Sequence, residues 1–236
     1  MFLSIKLRPI IVFLAVVLLG VILPSLFSIY ISNNVNSNIE KTGFTIVIDA
    51  GHGGKDGGCS GINTDTKESD INLAVAKKLQ TYLENMGFDI VMTRDTENAL
   101  CSDNEDNFKV TDMEKRAEII NGVKPSLVVS IHMNSFPMPS EYGAQCYFQE
   151  GDEIGEAIAS TIQSQLQVGL GENARDFVNH GDYYLLTSTT YPTVIVEGGF
   201  LSNPDEEALL ITDDYQSRVA YSIMCGIFSY FVQYIP

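Results

Sequence analysis

Basic residues are scarce in this sequence. Its 236 residues include 14 lysines and arginines against 30 aspartates and glutamates, which gives a formal net charge of −16 at pH 7. Proteins that bind nucleic acid neutralise phosphates with clustered Lys and Arg, and proteins that bind anionic membrane surfaces use the same side chains. The composition therefore argues against a nucleic-acid partner and against a polybasic membrane-surface protein.

Repeats, low-complexity tracts and paired cysteines are also missing from the sequence. The hydrophobic content of 45% is that of a globular protein. The four cysteines are scattered and none forms a C-x-x-C pair, so they do not resemble a zinc ligand set. A disulfide is compatible with an extracytoplasmic domain, but the spacing specifies none. We therefore expect mostly free, partly buried thiols at Cys59, Cys101, Cys146 and Cys225.

A long uncharged stretch, rich in Ile, Val, Leu and Phe, occupies residues 9–31. It exceeds the roughly 20 residues that a helix needs to cross a bilayer. Lys6 and Arg8 precede it, so the positive-inside rule places the N-terminus in the cytoplasm and the remainder outside. A cleaved signal peptide is an alternative, although its apolar region would be unusually long and no small-x-small cleavage site is clear. A buried core helix is a third.

The sequence after this stretch divides into a short polar segment and one domain. Residues 32–43 are polar and rich in Asn and Ser, as expected of a linker. No second linker follows. We therefore predict a signal-anchor or signal segment over residues 1–31, a linker over 32–43 and a single domain over 44–236.

Short apolar runs alternate with amphipathic segments throughout this domain. This alternation predicts the α/β class: a single three-layer domain with a mostly parallel central sheet and helices on both faces, preceded by the N-terminal hydrophobic helix. In such sheets, ligands bind beyond the carboxyl ends of the strands. The predicted strands are 45–49, 89–93, 127–132, 144–148, 183–186 and 193–197, and the predicted helices are 69–86, 111–121, 152–168 and 213–234.

Side chains that can bind a metal or move a proton stand at the ends of three predicted strands. These are His52, His132 and Glu197. Glu68 stands at the start of the first predicted helix, where the helix dipole favours a carboxylate. Hydrolytic zinc sites take three ligands from His and Asp or Glu and leave a position for water. His52, Glu68 and His132 are therefore candidate zinc ligands, and Glu197 is the candidate base.

Each of these residues also has an ordinary structural explanation. His52 could lie in a simple strand-to-helix turn, His132 could be a satisfied core histidine, and Glu68 could be only a helix-start carboxylate. Glu197 is harder to explain in this way, because a buried carboxylate without a partner is costly. The joint pattern, more than any one residue, favours the metal-site hypothesis.

Six motifs, in this order and spacing, resemble the zinc N-acetylmuramoyl-L-alanine amidases of the amidase-3 family. The resemblance extends from about residue 44 to residue 234. The motifs are IDAGHGGKDGG at 48–58, KESDINLA at 67–74, TRDT at 93–96, KRAEIIN at 115–121, VVSIHMNS at 128–135 and PTVIVEGGFLSNPDEEALL at 192–210.

The resemblance implies a catalytic domain that holds one Zn²⁺ per chain. The implied ligands are His52, Glu68 and His132, and the implied catalytic residue is Glu197, as the strand-end argument suggests. Arg116 and Asn121 would lie on the family's arginine–asparagine helix, and we interpret both as structural or supporting.

A short single domain behind a hydrophobic segment is similar to the spore germination-specific amidases of this family. That similarity implies cortex peptidoglycan as substrate, muramic-lactam formation during sporulation, and an extracytoplasmic location, membrane-anchored or secreted, between forespore and mother cell. Only a few residues separate the predicted strand ending at Phe148 from the next helix, so the regulatory helix that some members insert there is missing. We therefore also consider an activating or zinc-loading partner protein.

Two other classes of function remain open at the sequence level. A zinc peptidase or carboxypeptidase acting on peptidoglycan stem peptides would use nearly the same site. An inactive wall-binding module would need no site at all, but all four candidate residues are present.

Overall fold

The computed structural model describes residues 40–235, together with Ile22. The predicted anchor over residues 1–31, apart from Ile22, and residues 32–39 of the predicted linker lie outside the described residues. Among the helices of the described part of the chain, none is both long and apolar enough to span a bilayer.

A six-stranded sheet forms the centre of the domain. Its spatial order is β2-β1-β3-β6-β4-β5, and β2, β1, β3 and β6 are parallel. β4 is antiparallel to β6, and the short β5 pairs parallel to β4. The strands are β1 (Thr45–Ala50), β2 (Asp89–Met92), β3 (Leu127–Asn134), β4 (Gln145–Phe148), β5 (Asn179–His180) and β6 (Thr193–Phe200).

Helices cover both faces of this sheet, as the sequence predicts. Three long helices, α1, α3 and α6, share the larger apolar core with Ile46 and Ile48 of β1. The opposite face packs Val47 of the same strand against α2 and α4. The helices are α1 (Glu68–Asn85), α2 (Phe108–Val123), α3 (Glu153–Leu170), α4 (Tyr184–Ser188), α5 (Pro204–Leu210) and α6 (Asp213–Phe231), with short 3-10 turns at Gly171–Asn173 and Val232–Tyr234.

The strand predicted over residues 183–186 is wrong. Tyr183 has an extended backbone, but the residues after it form the one-and-a-half-turn helix α4, and the strand in this region is β5. Leu185 and Leu186 are both buried although they are adjacent. A short apolar run does not distinguish a buried strand from a buried helix, because it is too short to show a period. Helix α5 was not predicted.

The remaining predicted strands and helices of residues 44–236 agree with the structure apart from their boundaries. β3 and β6 run two and three residues beyond their predicted ends, so His132 and Glu197 lie inside the carboxyl ends of these strands. Only residues 149–152 separate β4 from α3, so no inserted helix is present there. All four cysteines are free, with Cys101 and Cys146 buried and the other two partly buried.

Candidate metal centre

Three candidate ligands converge beyond the carboxyl end of the sheet. One carboxylate oxygen of Glu68, Oε1, lies 2.9 Å from Nδ1 of His132 and 3.2 Å from Nε2 of His52. The three ligand atoms lie within 4.8 Å of one another. The structure thus brings together three residues that are 16 to 80 positions apart in the chain, as the sequence analysis expects.

Backbone geometry at two glycines makes this convergence possible. His52 follows β1 with a positive φ of 60°, which turns its side chain back towards α1. Gly51 precedes it, and a Cβ at that position would overlap the His132 imidazole. Gly58 has a φ of 70°, and a Cβ there would overlap the Glu68 carboxylate. Any larger side chain at either glycine would therefore displace a candidate ligand.

Two of the three candidate ligands, His52 and Glu68, are oriented by further groups. Asp56 Oδ2 lies 2.9 Å from Nδ1 of His52. Asn72, one turn along α1, donates from Nδ2 to Glu68 Oε1 at 3.2 Å, and the backbone N–H of Cys59 donates to Glu68 Oε2 at 3.0 Å. Such contacts fix the orientation of metal ligands and are common around metal-binding histidines.

Electrostatics favour the charged forms within this group. Burial alone would raise the pKa of Glu68, but hydrogen bonds from His132 and His52 hold the pKa of Glu68 far below its ordinary value. Burial alone would lower the pKa of His52, but the carboxylates of Glu68 and Asp56 raise the pKa of His52 overall. Glu68 is therefore ionised and can meet a cation, whereas His52 must release any proton on Nε2 before that nitrogen can bind one.

The donor set fits a zinc ion. Two imidazole nitrogens and one carboxylate oxygen are the ligand types of hydrolytic zinc, which keeps a further position open. A cavity of about 200 Å³ opens beside His52 and His132, so one side of the group faces space that a substrate can enter. The described residues thus place a three-ligand group that can hold a metal ion next to a cavity.

Two buried arginines fix the loop that carries His52. Arg116 of α2 donates to the carbonyl oxygens of Ala50 at 2.7 Å and of His52 at 2.6 Å. Arg94 donates to the carbonyls of Ala50 and Gly51, both at 2.8 Å. These contacts occupy the carbonyl of the last residue of β1 and the first two carbonyls of the turn that follows it. Arg116 therefore supports the site, as expected.

Asn121 does not share this role in the structure. It is exposed in the last turn of α2, and its side chain makes no hydrogen bond within residues 40–235. The contacts of the described chain therefore give no explanation for this residue.

Asp49 binds Arg116 and completes this network. Its Oδ1 accepts hydrogen bonds from Arg116 Nη1 and Thr93 Oγ1, both at 2.7 Å, and its Oδ2 accepts one from Ser130 Oγ at 2.6 Å. Burial alone would raise the pKa of Asp49, but Arg116 and the two hydroxyls lower it to about 2. Asp112 binds the other edge of Arg116, from its Oδ2 to Nε at 2.7 Å.

The environment of Glu197 shifts its pKa in the opposite direction from that of Asp49. It lies beside His132 across the β3–β6 pair and beside Gln145 across the β4–β6 pair. Its side chain is 6% exposed, and its buried Oε2 has no hydrogen-bond partner among the described residues. Burial raises the pKa of Glu197 to about 7. A carboxyl group with such a pKa can accept and release a proton near neutral pH.

Several residues of the site were not predicted from sequence. Asn72 could have been found, since it lies one helical turn after Glu68 and so shares its face. Asp49 and Asp56 lie within the first motif, but nothing in their spacing shows which side chains they meet. Arg94 belongs to the TRDT motif, and Tyr183, which lines the cavity, belongs to the segment mistaken for a strand.

The fold and the site together define an α/β protein with a three-ligand site able to hold a metal ion beside an unpartnered buried carboxylate. This arrangement is typical of metal-dependent hydrolases. The family sequence model described as N-acetylmuramoyl-L-alanine amidase matches residues 46–229. The chain belongs to this family.

Individual relatives agree with this membership. The germination-specific N-acetylmuramoyl-L-alanine amidase of Bacillus subtilis is 35% identical over 223 residues, which cover 92% of this chain and 93% of that protein. The CwlD amidase from Clostridioides difficile, solved in complex with the GerS lipoprotein, is 32% identical with a TM-score of 0.76, over 81% of this chain and 99% of that one. The catalytic domain of CwlV from Bacillus (Paenibacillus) polymyxa is 31% identical with a TM-score of 0.71, over 82% and 99%.

Proposed function

We propose that this protein hydrolyses the amide bond between N-acetylmuramic acid and L-alanine in peptidoglycan. One zinc ion held by His52, Glu68 and His132 would take part, with Glu197 as the catalytic base. Family membership supports the choice of bond. The observation that carries the chemistry is the buried carboxylate of Glu197, which pairs with His132 of the histidine–glutamate–histidine group across β3 and β6 and whose Oε2 has no hydrogen-bond partner among the described residues.

Glu197 has the properties of a proton carrier for this reaction. A zinc ion bound here would polarise the lactyl carbonyl and acidify a water molecule. Glu197 takes the proton from that water as its oxygen forms a bond to the carbonyl carbon. It passes the proton to the nitrogen of L-alanine as the C–N bond breaks, so that a carboxylic acid and a free amine leave. A pKa of about 7 for Glu197 suits both transfers.

Two alternatives differ from this proposal in their products. A zinc peptidase would cut within the stem peptide, and an inactive binding module would release nothing. The amidase releases an intact stem peptide with a free N-terminal L-alanine. The full-length protein, supplied with Zn²⁺, should therefore yield this peptide from peptidoglycan, as identified by mass spectrometry. Cleavage at any other bond would contradict the proposal.

Metal binding supplies an independent test of the ligand assignment. We expect about one zinc per purified chain and less in His52→Ala and His132→Ala, measured by atomic emission. The control is Glu197→Gln, which should keep its zinc because Glu197 is not a ligand. Full zinc content in both histidine variants would contradict the assignment.

The similarity to the Bacillus subtilis and Clostridioides difficile amidases supports a more specific location and substrate. We place the protein outside the cytoplasmic membrane, held by residues 1–31, where it acts on spore cortex peptidoglycan and prepares muramic lactam during sporulation. The Clostridioides difficile structure contains a lipoprotein, which supports an activating or zinc-loading partner here as well. Spores that lack this protein should contain little muramic lactam, and a normal muropeptide profile would contradict this setting.

A further inference from the structure

Two tyrosines, Tyr147 and Tyr183, lie close enough to Glu197 for its charge to raise their pKa values. Tyr147 follows Gln145 on β4, and Gln145 is the residue paired with Glu197 across the sheet. Tyr183 lies just before α4, and its ring meets that of Tyr147 edge to face, with centroids 5.4 Å apart. Tyr183 also lines the 200 Å³ cavity that contains His52 and His132. Tyr183 therefore borders the cavity beside His52 and His132, where the scissile amide would lie.

The hydroxyl groups of the two tyrosines differ in their hydrogen bonding. Tyr147 donates its hydroxyl hydrogen to Gln145 Oε1 at 3.0 Å, so its donor is occupied. Tyr183 makes no side-chain hydrogen bond within residues 40–235. Burial, together with the charge of Glu197, raises the pKa of Tyr183 above its ordinary value, so this phenol keeps its proton at neutral pH. Tyr183 is thus a free, neutral donor in the cavity.

The position of Tyr183 is fixed without the use of its hydroxyl. Its carbonyl accepts hydrogen bonds from the N–H groups of Leu186 at 3.1 Å and Thr187 at 3.3 Å, which tie it to the first turn of α4. Gly181 leaves room for its ring, since a Cβ there would overlap the ring edge. A donor held in place before substrate arrives has little freedom left to lose when it binds.

We propose that Tyr183 is a further catalytic residue, whose hydroxyl donates a hydrogen bond to the substrate carbonyl oxygen as negative charge develops on it. The inference rests on the amidase function proposed above. Tyr183 keeps its proton throughout, so the proton balance of the reaction is unchanged. Because the interaction strengthens in the transition state, its loss should lower kcat more than it raises KM.

The test is Tyr183→Phe, which removes one oxygen and retains the ring contact with Tyr147. In the full-length zinc-loaded protein, we expect the steady-state kcat for a muropeptide substrate to fall about 100- to 1,000-fold, with KM and zinc content near the wild-type values. Tyr221→Phe is the matched control, because Tyr221 is 55% exposed on α6, where its ring packs against Tyr82. We expect wild-type kinetics for it.

Three outcomes would overturn the proposal. A Tyr183→Phe enzyme with wild-type kcat would show that the hydroxyl does not act. Loss of zinc together with activity would show a structural role instead. A rise in KM with unchanged kcat would show that the hydroxyl binds the ground state only. Failure of the amidase function itself is recognised separately, because the wild-type protein would then release no L-alanine-terminated peptide, and both proposals would be withdrawn.

Discussion

Two buried carboxylates near the carboxyl ends of parallel strands have opposite environments. Asp49 at the end of β1 accepts three hydrogen bonds, one of them from Arg116, and its pKa is lowered to about 2. Glu197 in β6 has an oxygen without a hydrogen-bond partner among residues 40–235, and burial raises its pKa to about 7. Both are nearly inaccessible, at 1% and 6% exposure. Burial alone therefore does not decide what a carboxylate in this domain does.

Hydrogen-bond partners account for the difference. The Asp49 half of the site satisfies its polar groups internally, so it fixes the backbone from which His52 projects. The Glu197 half leaves the buried Oε2 without a hydrogen-bond donor among the described residues, which costs stability and leaves that oxygen uncommitted to the structure. The comparison suggests that one carboxylate supports the structure and the other carries out the chemistry.

The largest expected effect comes from Glu197→Gln. The amide cannot accept a proton from water, so we expect muropeptide turnover to fall about 10³-fold or more. The melting temperature should stay the same or rise, because a neutral amide is easier to bury than a carboxylate. Turnover assays and thermal unfolding measure the two effects.

Glu206→Gln is the matched control for this substitution. Glu206 is 2% exposed, and its carboxylate accepts hydrogen bonds from the N–H groups of Gly143 and Phe200. Here the substitution should lower stability and leave turnover near the wild-type value. The comparison fails if Glu197→Gln unfolds the protein or if Glu206→Gln abolishes turnover.

Asp49→Asn should have the largest effect on stability. It removes the charge that faces Arg116 in a buried pair, and such losses cost about 3 kcal/mol or more. Since Arg116 also holds the carbonyl of His52, zinc affinity should fall as well. Urea unfolding and zinc titration measure both effects. Asp213→Asn is the control, because Asp213 pairs with Lys78 at the surface and its side chain is 86% exposed, so we expect less than about 1 kcal/mol.

The sequence predicts the layers of the fold and the convergence of His52, Glu68 and His132, because both depend on short-range patterns. Apolar periodicity shows the long helices and central strands, and the candidate ligands lie where the strand-end rule places them. His52 lies within the first motif, and Glu68 is the first residue of α1. These features needed no knowledge of which distant residues touch.

The contacts that distinguish Asp49 from Glu197 could not be predicted in the same way. Arg116 is 67 positions from Asp49 and Ser130 is 81 positions away, and only the completed sheet brings them together. The role of Tyr183 was hidden for a different reason, since its segment is too short to show a helical or strand period. Tertiary packing, rather than local preference, determines both.

The pH dependence of stability should show the two carboxylates with opposite signs. Glu197 is protonated in the folded state between about pH 4.5 and 7 but ionised when unfolded, so stability falls as pH rises through that window, by on the order of 3 kcal/mol. Asp49 stays ionised when folded, so its contribution is present above about pH 4 and is lost as pH falls towards 2, by on the order of 2 kcal/mol.

Two variants distinguish the contributions of Glu197 and Asp49 to the pH dependence of folding stability. Urea unfolding of metal-free protein in chelator should show that the advantage of Glu197→Gln over wild type grows between pH 5 and 7. Asp49→Asn should flatten only the limb below pH 4. If the wild-type and Glu197→Gln curves run parallel between pH 5 and 7, the carboxyl group of Glu197 does not carry a raised pKa.

The smallest expected effect tests whether the carboxylate of Asp56 also belongs to the Asp49 half of the site, from which His52 projects. Asp56 orients His52 through Nδ1 and adds negative charge behind it. Asp56→Asn retains an acceptor but loses the charge, so zinc should bind about 10-fold more weakly, measured by competition with a chromophoric chelator. Asp106→Asn removes a charge of the same sign from an exposed position in the groove that Asp56 also lines, and should change zinc affinity little.

Equal losses in both variants would mean that long-range charge, rather than the contact with His52, sets the affinity. The support that Asp56 gives to His52 would then be steric only, and the difference between the two halves of the site would rest on Asp49 alone.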